Sequence, residues 1–348
     1  MKFKMIFFFF LLALLNQPVY AIKVAGLYHG NVPVENESAA LRRPAIKQAL
    51  INVLVKLTGD RNISKNADIA PLINQAEGFV QQFRYRQVAN QIDPAIQASE
   101  LWVQFDEVAV NEGLRSYGLS IWGNERPSIL VWLVHEDNGV RRLVSFEESP
   151  QYLTMLDKAA SNRGISLLFP LLDLEDSSRI SASDIWGGFK DPILAASNRY
   201  QADVVLTGKL VQALPNIWES YWTVYINGQT INWDSQGELA EIVLQEGADE
   251  LADRIASQYA YTGSTLTEVI ELLVTDVDDL DEYAKALSYL ESVQSVQSVQ
   301  VKSVSKDKVL FELINRGGLG AFDQSVTLGK TLEAVNNSEI LTYRLISR

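Results

Sequence analysis

Residues 129–134 read Ile-Leu-Val-Trp-Leu-Val, six apolar side chains in a row. Successive strand residues point to opposite faces, so such a run needs both faces of its sheet covered. Two further stretches have this character: Ile165–Leu172 (ISLLFPLL) and Ala202–Leu210 (ADVVLTGKL). Between them lie two helical patterns, one over 150–163 carrying Leu153, Leu156 and Ala160, the other around 188–200. Two antiparallel strands are expected near 218–227 and 230–235, joined at the hairpin pair Asn227-Gly228. A long helix with Leu239, Ile242, Val243, Leu251 and Ile255 on its apolar side closes the unit. This β-α-β-α-β-β-α order predicts a central three-layer α/β domain over 124–262.

The patterns on either side differ. In 22–123 a short extended start, Ile22–Tyr28, precedes Ile46, Ala49, Leu50, Val53 and Leu57 at helical spacing, with Gly59 as the expected C-cap. Pro44 places the regular part of that helix near Arg42 onward, or bends it there. Residues 70–81 are expected as a second helix, and Leu101, Val103 and Phe105 as one face of a strand. That makes a small N-terminal α+β domain, ending at the turn-like joint Asn124-Glu125-Arg126-Pro127.

After Thr262-Gly263-Ser264 comes β-α-β-β-α-β: Val269–Thr275, Asp279–Leu290, Val299–Val304, Val309–Asn315, a helix near 319–329 and Leu341–Ile346. Residues 263–348 are therefore expected as a C-terminal ferredoxin-like domain. The Val-Gln-Ser repetition over Val293–Gln300 has period three, which fits neither strand nor helix, and reads as a connection. The fold class expected is α/β and α+β, multidomain.

The first 21 residues read as a secretory signal. Lys2 and Lys4 precede the apolar run Met5–Leu15, Asn16-Gln17-Pro18 breaks it, and Val19-Tyr20-Ala21 leads to a cut between Ala21 and Ile22. A spanning helix needs about 20 apolar residues, more than this run supplies. No Cys stands near the cut for lipid attachment, and no later stretch is long enough to span. The expected localisation is the periplasm, with no integral membrane span after cleavage. Cleavage takes Lys+Arg from 30 to 28 against 43 Asp+Glu, so the net charge moves from −13 to −15. A field of that sign does not draw nucleic acid. The chain has no Cys, which removes disulfides, thiolate nucleophiles and Cys metal sites.

No catalytic, cofactor or metal site is expected. His29 and His135 are isolated from one another in sequence. The acidic cluster Asp276, Asp278, Asp279, Asp281 and Glu282 fails calcium-loop spacing, since position 6 is Asp281 and position 12 is Leu287. It reads as the cap of a helix N-terminus. Gly317-Gly318-Leu319-Gly320 lacks the third glycine of a dinucleotide fingerprint, and Trp186-Gly187-Gly188-Phe189-Lys190 lacks phosphate-loop spacing. One aromatic cluster stands out: Trp218, Tyr221, Trp222, Tyr225 and Trp233 crowd a single hairpin. Such residues more often fill a core; exposed, Trp218, Trp222 and Trp233 would form a partner-binding face.

Leu119-Ser120-Ile121-Trp122-Gly123, Arg126-Pro127 and Leu130-Val131-Trp132 resemble the signature of exported gammaproteobacterial proteins of domain-of-unknown-function family 2066 (DUF2066). The helix Arg43–Gly59, the Leu168–Asp173 strand and Ala202-Asp203 to Leu210 are similar to it too. The resemblance covers nearly all of the chain after the signal and implies no activity. The central unit is also similar, at the level of fold, to the N-terminal domain of TolB. The expected function is a non-enzymatic periplasmic interaction or scaffold protein supporting cell-envelope assembly, with envelope proteins as partners. Two alternatives are a periplasmic hydrolase using an unrecognised carboxylate pair and a small-ligand-binding protein with its site at the strand ends of the central domain.

Overall fold

The structure, a computed structural model, describes residues 26–89, 97–119, 121–259, 267–293, 295–316, 318–335 and 340–346. The signal and its cut at Ala21 and Ile22, the joint Thr262-Gly263-Ser264, and Gly317 lie outside them. The chain divides into two compact units, one over Lys23–Leu266 and one over Thr267–Arg348. The architecture is mixed α/β and multidomain.

The first unit begins with β1 (His29–Val34) and α1 (Ala39–Thr58). Helix α1 runs through Pro44 and ends at Gly59, whose φ of 73° is the left-handed C-cap expected. The expected helix over 70–81 is only α2 (Ala70–Asn74), followed by a 3₁₀ turn. From Val80 the chain is strand, β2 (Val80–Ala89), because Phe83 and Tyr85 recur at period two. Of the extended start expected at Ile22–Tyr28, residues 22–25 lie outside the described residues; 26–28 form a turn and the strand begins at His29. With β3 (Gln97–Phe105) these strands make an antiparallel sheet of order β1-β3-β2. Val32, Leu101, Val103 and Phe105 face the buried side of α1, and α3 (Glu107–Ser116) follows.

The central sheet is built on β4 (Ile129–Asp137), with β5 (Val140–Leu143), β6 (Leu167–Leu168), β7 (Val204–Leu214), β8 (Ile217–Ile226) and β9 (Gln229–Gly237). Its order is β5-β4-β7-β8-β9, with β6 also on β4; β4 runs parallel to β6 and β7. Ile129, Val131 and Leu133 pack under α4 (Pro150–Asn162) and α8 (Ala240–Tyr259). Leu130, Trp132 and Val134 pack on the other face against α6 (Ala182–Gly187) and α7 (Lys190–Ser197). The six-residue apolar run thus has its two covered faces. The expected strand Ile165–Leu172 shrinks to Leu167–Leu168. Pro170 has no N–H for a ladder, and Asp173 already caps α5 (Leu174–Arg179).

The joint at 123/124 is sewn tight rather than open. Arg126, buried, donates to Lys56 O at 2.7 Å, Gly164 O at 2.6 Å, Trp122 O at 3.1 Å and Gly123 O at 3.0 Å. Arg163 donates to Gly59 O at 2.8 Å and to Asp249 and Asp253 of α8 at 2.8 and 2.6 Å. Carbonyls at the end of α1 lack helical donors, and two cations from the central elements supply them.

The second unit comprises β10 (Thr267–Thr275), α9 (Leu280–Ser292), β11 (Val296–Ser305), β12 (Lys308–Arg316), α10 (Leu319–Gly329), β13 (Leu332–Ala334) and β14 (Leu341–Leu345). The sheet order is β11-β12-β10-β14-β13. Ile270, Leu272, Val274, Val309, Phe311 and Leu313 share one face with the buried residues of both helices. Two details differ from expectation. The Val-Gln-Ser stretch is strand from Val296, because Val296, Ser298, Val299 and Gln300 pair with β12, with an irregularity in register between Val296 and Ser298. The last strand runs parallel to β10, and the short β13 lies outside it, antiparallel.

Candidate functional site

The three tryptophans of the aromatic hairpin lie on the helix-covered side of the central sheet. Trp222 and Trp233 are cross-strand partners whose rings stack at 6.4 Å. Trp222 is 1% exposed and donates from Nε1 to Ser220 Oγ at 2.8 Å. Trp233 is half-buried, with the Arg254 guanidinium 5.1 Å from its centroid. Trp218, also half-buried, stacks on His135 at 5.9 Å and sits 6.0 Å from Tyr152. Trp222 therefore cannot reach a partner; α8 covers it. The outward aromatic of this hairpin is Tyr221, 44% exposed.

The acidic cluster caps a helix. Asp279 accepts from Glu282 N at 2.8 Å, and Glu282 accepts from Asp278 N at 2.7 Å. Gly318 sits with φ 81° at the N-cap of α10, as the tight strand-to-helix turn requires.

A denser constellation stands on the outer face of the N-terminal sheet. Asn31, Trp102 and Arg84 are cross-strand neighbours, and so are Pro33, Glu100 and Arg86. The side facing away from α1 therefore carries a central indole flanked by two arginines at positions i and i+2 of β2. The Arg84 guanidinium lies 4.4 Å from the Trp102 centroid and that of Arg86 5.0 Å. His29 packs on the same indole at 4.8 Å. This cover leaves Trp102 only 7% exposed.

Lys56 joins the group from α1. Its Nζ donates to His29 O at 2.6 Å and Gly26 O at 3.2 Å. Burial, then the nearby Arg126, pushes its pKa down to about 8. Burial, then Lys56, Arg86 and Arg84, also lowers that of His29. Among the described residues no carboxylate lies within ion-pair distance of Lys56, Arg84 or Arg86, Glu100 opposite Arg86 included. Two cavities open beside His29. One, of about 220 Å³, includes Lys56, Trp102, Ser161 and Asn162 in its lining; the other, of about 480 Å³, includes Asp106 and Glu107. Such a cationic, donor-rich surface on an acidic chain suits an anion.

Sequence reasoning weighed His29 only as one of two isolated histidines, and it missed Lys56, Arg84, Arg86 and Trp102. The alternation in Phe83-Arg84-Tyr85-Arg86 was the available signal, obscured by the helix expected up to residue 81.

Residues 21–123, the part that supplies most of this face, match a family model described as Domain of unknown function (DUF8605). A domain of unknown function is the class of protein the sequence suggested; the match does not confirm family 2066. No curated protein matches the sequence. Among solved structures, one described as "Crystal structure of uncharacterized protein" is 11% identical, covering 38% of this chain and 92% of that chain, with a TM-score of 0.19.

Proposed function

We propose that this chain is a non-enzymatic interaction protein of the bacterial envelope, exported to the periplasm and acting in envelope assembly, and that the outer face of its N-terminal sheet holds an anionic group of its partner. The observation that carries this reading is Trp102 clasped by Arg84, Arg86 and His29, with no carboxylate among the described residues paired to the arginines. Arginines stacked on an indole keep their N–H edges for a ligand and lose little side-chain freedom when it arrives. The signal pattern of residues 1–21 and the resemblance to family 2066 support the envelope location. No helix among the described residues is long and apolar enough to cross a membrane.

The test is affinity capture from envelope extract with wild type and with the Arg84→Glu/Arg86→Glu double variant, its fold checked by circular dichroism. A partner retained by wild type and lost by the variant is expected; equal recovery by both overturns the reading. N-terminal sequencing of the periplasmic protein should begin at Ile22, and intact Met1 protein there or in the membrane would refute the export step.

A further inference from the structure

The smaller cavity beside His29 is lined by the cationic Lys56 and by the polar side chains of Ser161 and Asn162. Ser161 and Asn162, at the end of α4, are exposed and make no side-chain hydrogen bond among the described residues. Lys56 Nζ uses two of its three N–H groups on the carbonyls of Gly26 and His29, which leaves one donor. The bland account of cations here is that they cap helix ends. Arg126 and Arg163 do so, bonding the carbonyls of Lys56 and Gly59. Among the described residues Lys56 bonds the carbonyls of Gly26 and His29, and neither Arg84 nor Arg86 bonds a helix-end carbonyl, so capping does not explain them.

Resting on the reading of this face as anion-binding, we propose that the cavity takes a compact phosphate group, held by Lys56 Nζ, the His29 imidazole and the Ser161 and Asn162 side chains. Size and donor type select the ligand. About 220 Å³ suits one small oxyanion with its waters rather than a polymer. Lysine binds phosphate as a point charge, and the serine hydroxyl and asparagine amide add donors for its oxygens. The charged groups facing His29 are Lys56 on α1 and Arg84 and Arg86 on β2, with Asp106 and Glu107 lining the cavity on its other side. A bound dianion reverses the balance at His29 and favours the imidazolium. The same chemistry is offered by free phosphate and by the phosphomonoester head of a lipid.

The chain has two histidines, so the imidazole signals of the full mature protein report the site directly by NMR, with His135 as internal control. Titrations are run with inorganic phosphate, with phosphatidylcholine vesicles containing phosphatidic acid, with phosphatidylcholine alone, and with chloride at matched ionic strength. The expected result is a rise of about half a pH unit or more in the His29 midpoint, with His135 unmoved. A response to inorganic phosphate identifies a free-phosphate site, and a response to phosphatidic acid alone identifies a lipid headgroup. Asn162→Asp, an exposed change that spares the fold, should abolish the response by repulsion, and Lys56→Arg should retain it. No response in either arm, an equal response to chloride, or a response that survives Asn162→Asp overturns the proposal. Phosphate binding with unchanged partner capture by the Arg84→Glu/Arg86→Glu variant would overturn the partner reading alone.

Discussion

Arg163 Nη2 donates to Gly59 O at 2.8 Å, across 104 residues of sequence, and so closes the C-terminal end of α1 with a side chain from the central elements. The same guanidinium bonds Asp249 and Asp253, and Arg61 adds Asp253, Glu246 and Glu250 to the network. The first compact unit depends on this contact because it joins α1 to α8 with a buried charge.

Replacing Arg163 by Ala should destabilise the first unit by about 2 to 3 kcal/mol, because it leaves Asp249 without its cation, leaves Asp253 with Arg61 alone, and leaves a helix-end carbonyl without its donor. The acids are partly exposed, which keeps the loss below that of a fully buried pair. Arg163→Lys should recover less than half, since one ammonium cannot span Gly59 O and both carboxylates. Urea unfolding of the three proteins measures this; a Lys variant equal to wild type would show that charge alone suffices.

Gly247→Ala should destabilise. In an ordinary helix position this change stabilises by about 1 kcal/mol. Here the added Cβ would stand 2.4 Å from the Trp222 indole, so ring or helix must shift, at about 1 to 3 kcal/mol. A thermal melt gives the sign, and a raised melting temperature would refute the close packing of α8 on Trp222.

Adjacent residues of β12 should respond in opposite ways. Phe311 is 0% exposed and faces both helices of the C-terminal unit; Leu310 points to the other side and is half-buried. Phe311→Asp should unfold a fragment of residues 263–348, since it loses a packed ring and buries a charge, together about 4 kcal/mol or more. Leu310→Asp should leave it folded. Circular dichroism distinguishes them, and two equally folded variants would place Phe311 on the open face.

Lys56 should impose a pH dependence with a definite sign. Its folded-state pKa of about 8 lies below the ordinary 10.5. Between these values the unfolded chain holds the extra proton, so stability rises with pH; below about 8 the full cost of the buried charge is present. Tyr28 and Tyr200, pushed up to about 12 chiefly by burial, act oppositely and lose stability as pH climbs from 10 to 12. Comparing wild type with Lys56→Gln isolates the lysine: the wild type should gain on the variant from pH 8 to 10. A flat difference would mean that Lys56 is as solvated folded as unfolded.

The sequence by itself determined the elements whose pattern is local. Ile129–Val134 states that β4 is covered on both faces, the 3.6-residue spacing from Ile46 to Leu57 makes α1, and Gly59 ends it. Alternation at Val309, Phe311 and Leu313 marks the core face of β12. Burial period is written within each segment, so it survives reading without neighbours. Only the tertiary structure decided what depends on remote pairing. It placed Trp222 under α8 while Trp218 and Trp233 stay half-buried, and set β14 parallel to β10. It also gathered His29, Lys56, Arg84, Arg86 and Trp102 from three strands and a helix. Charged and polar residues carry no periodic requirement of their own; their neighbours follow from strand register and helix docking, and both are fixed by the whole core.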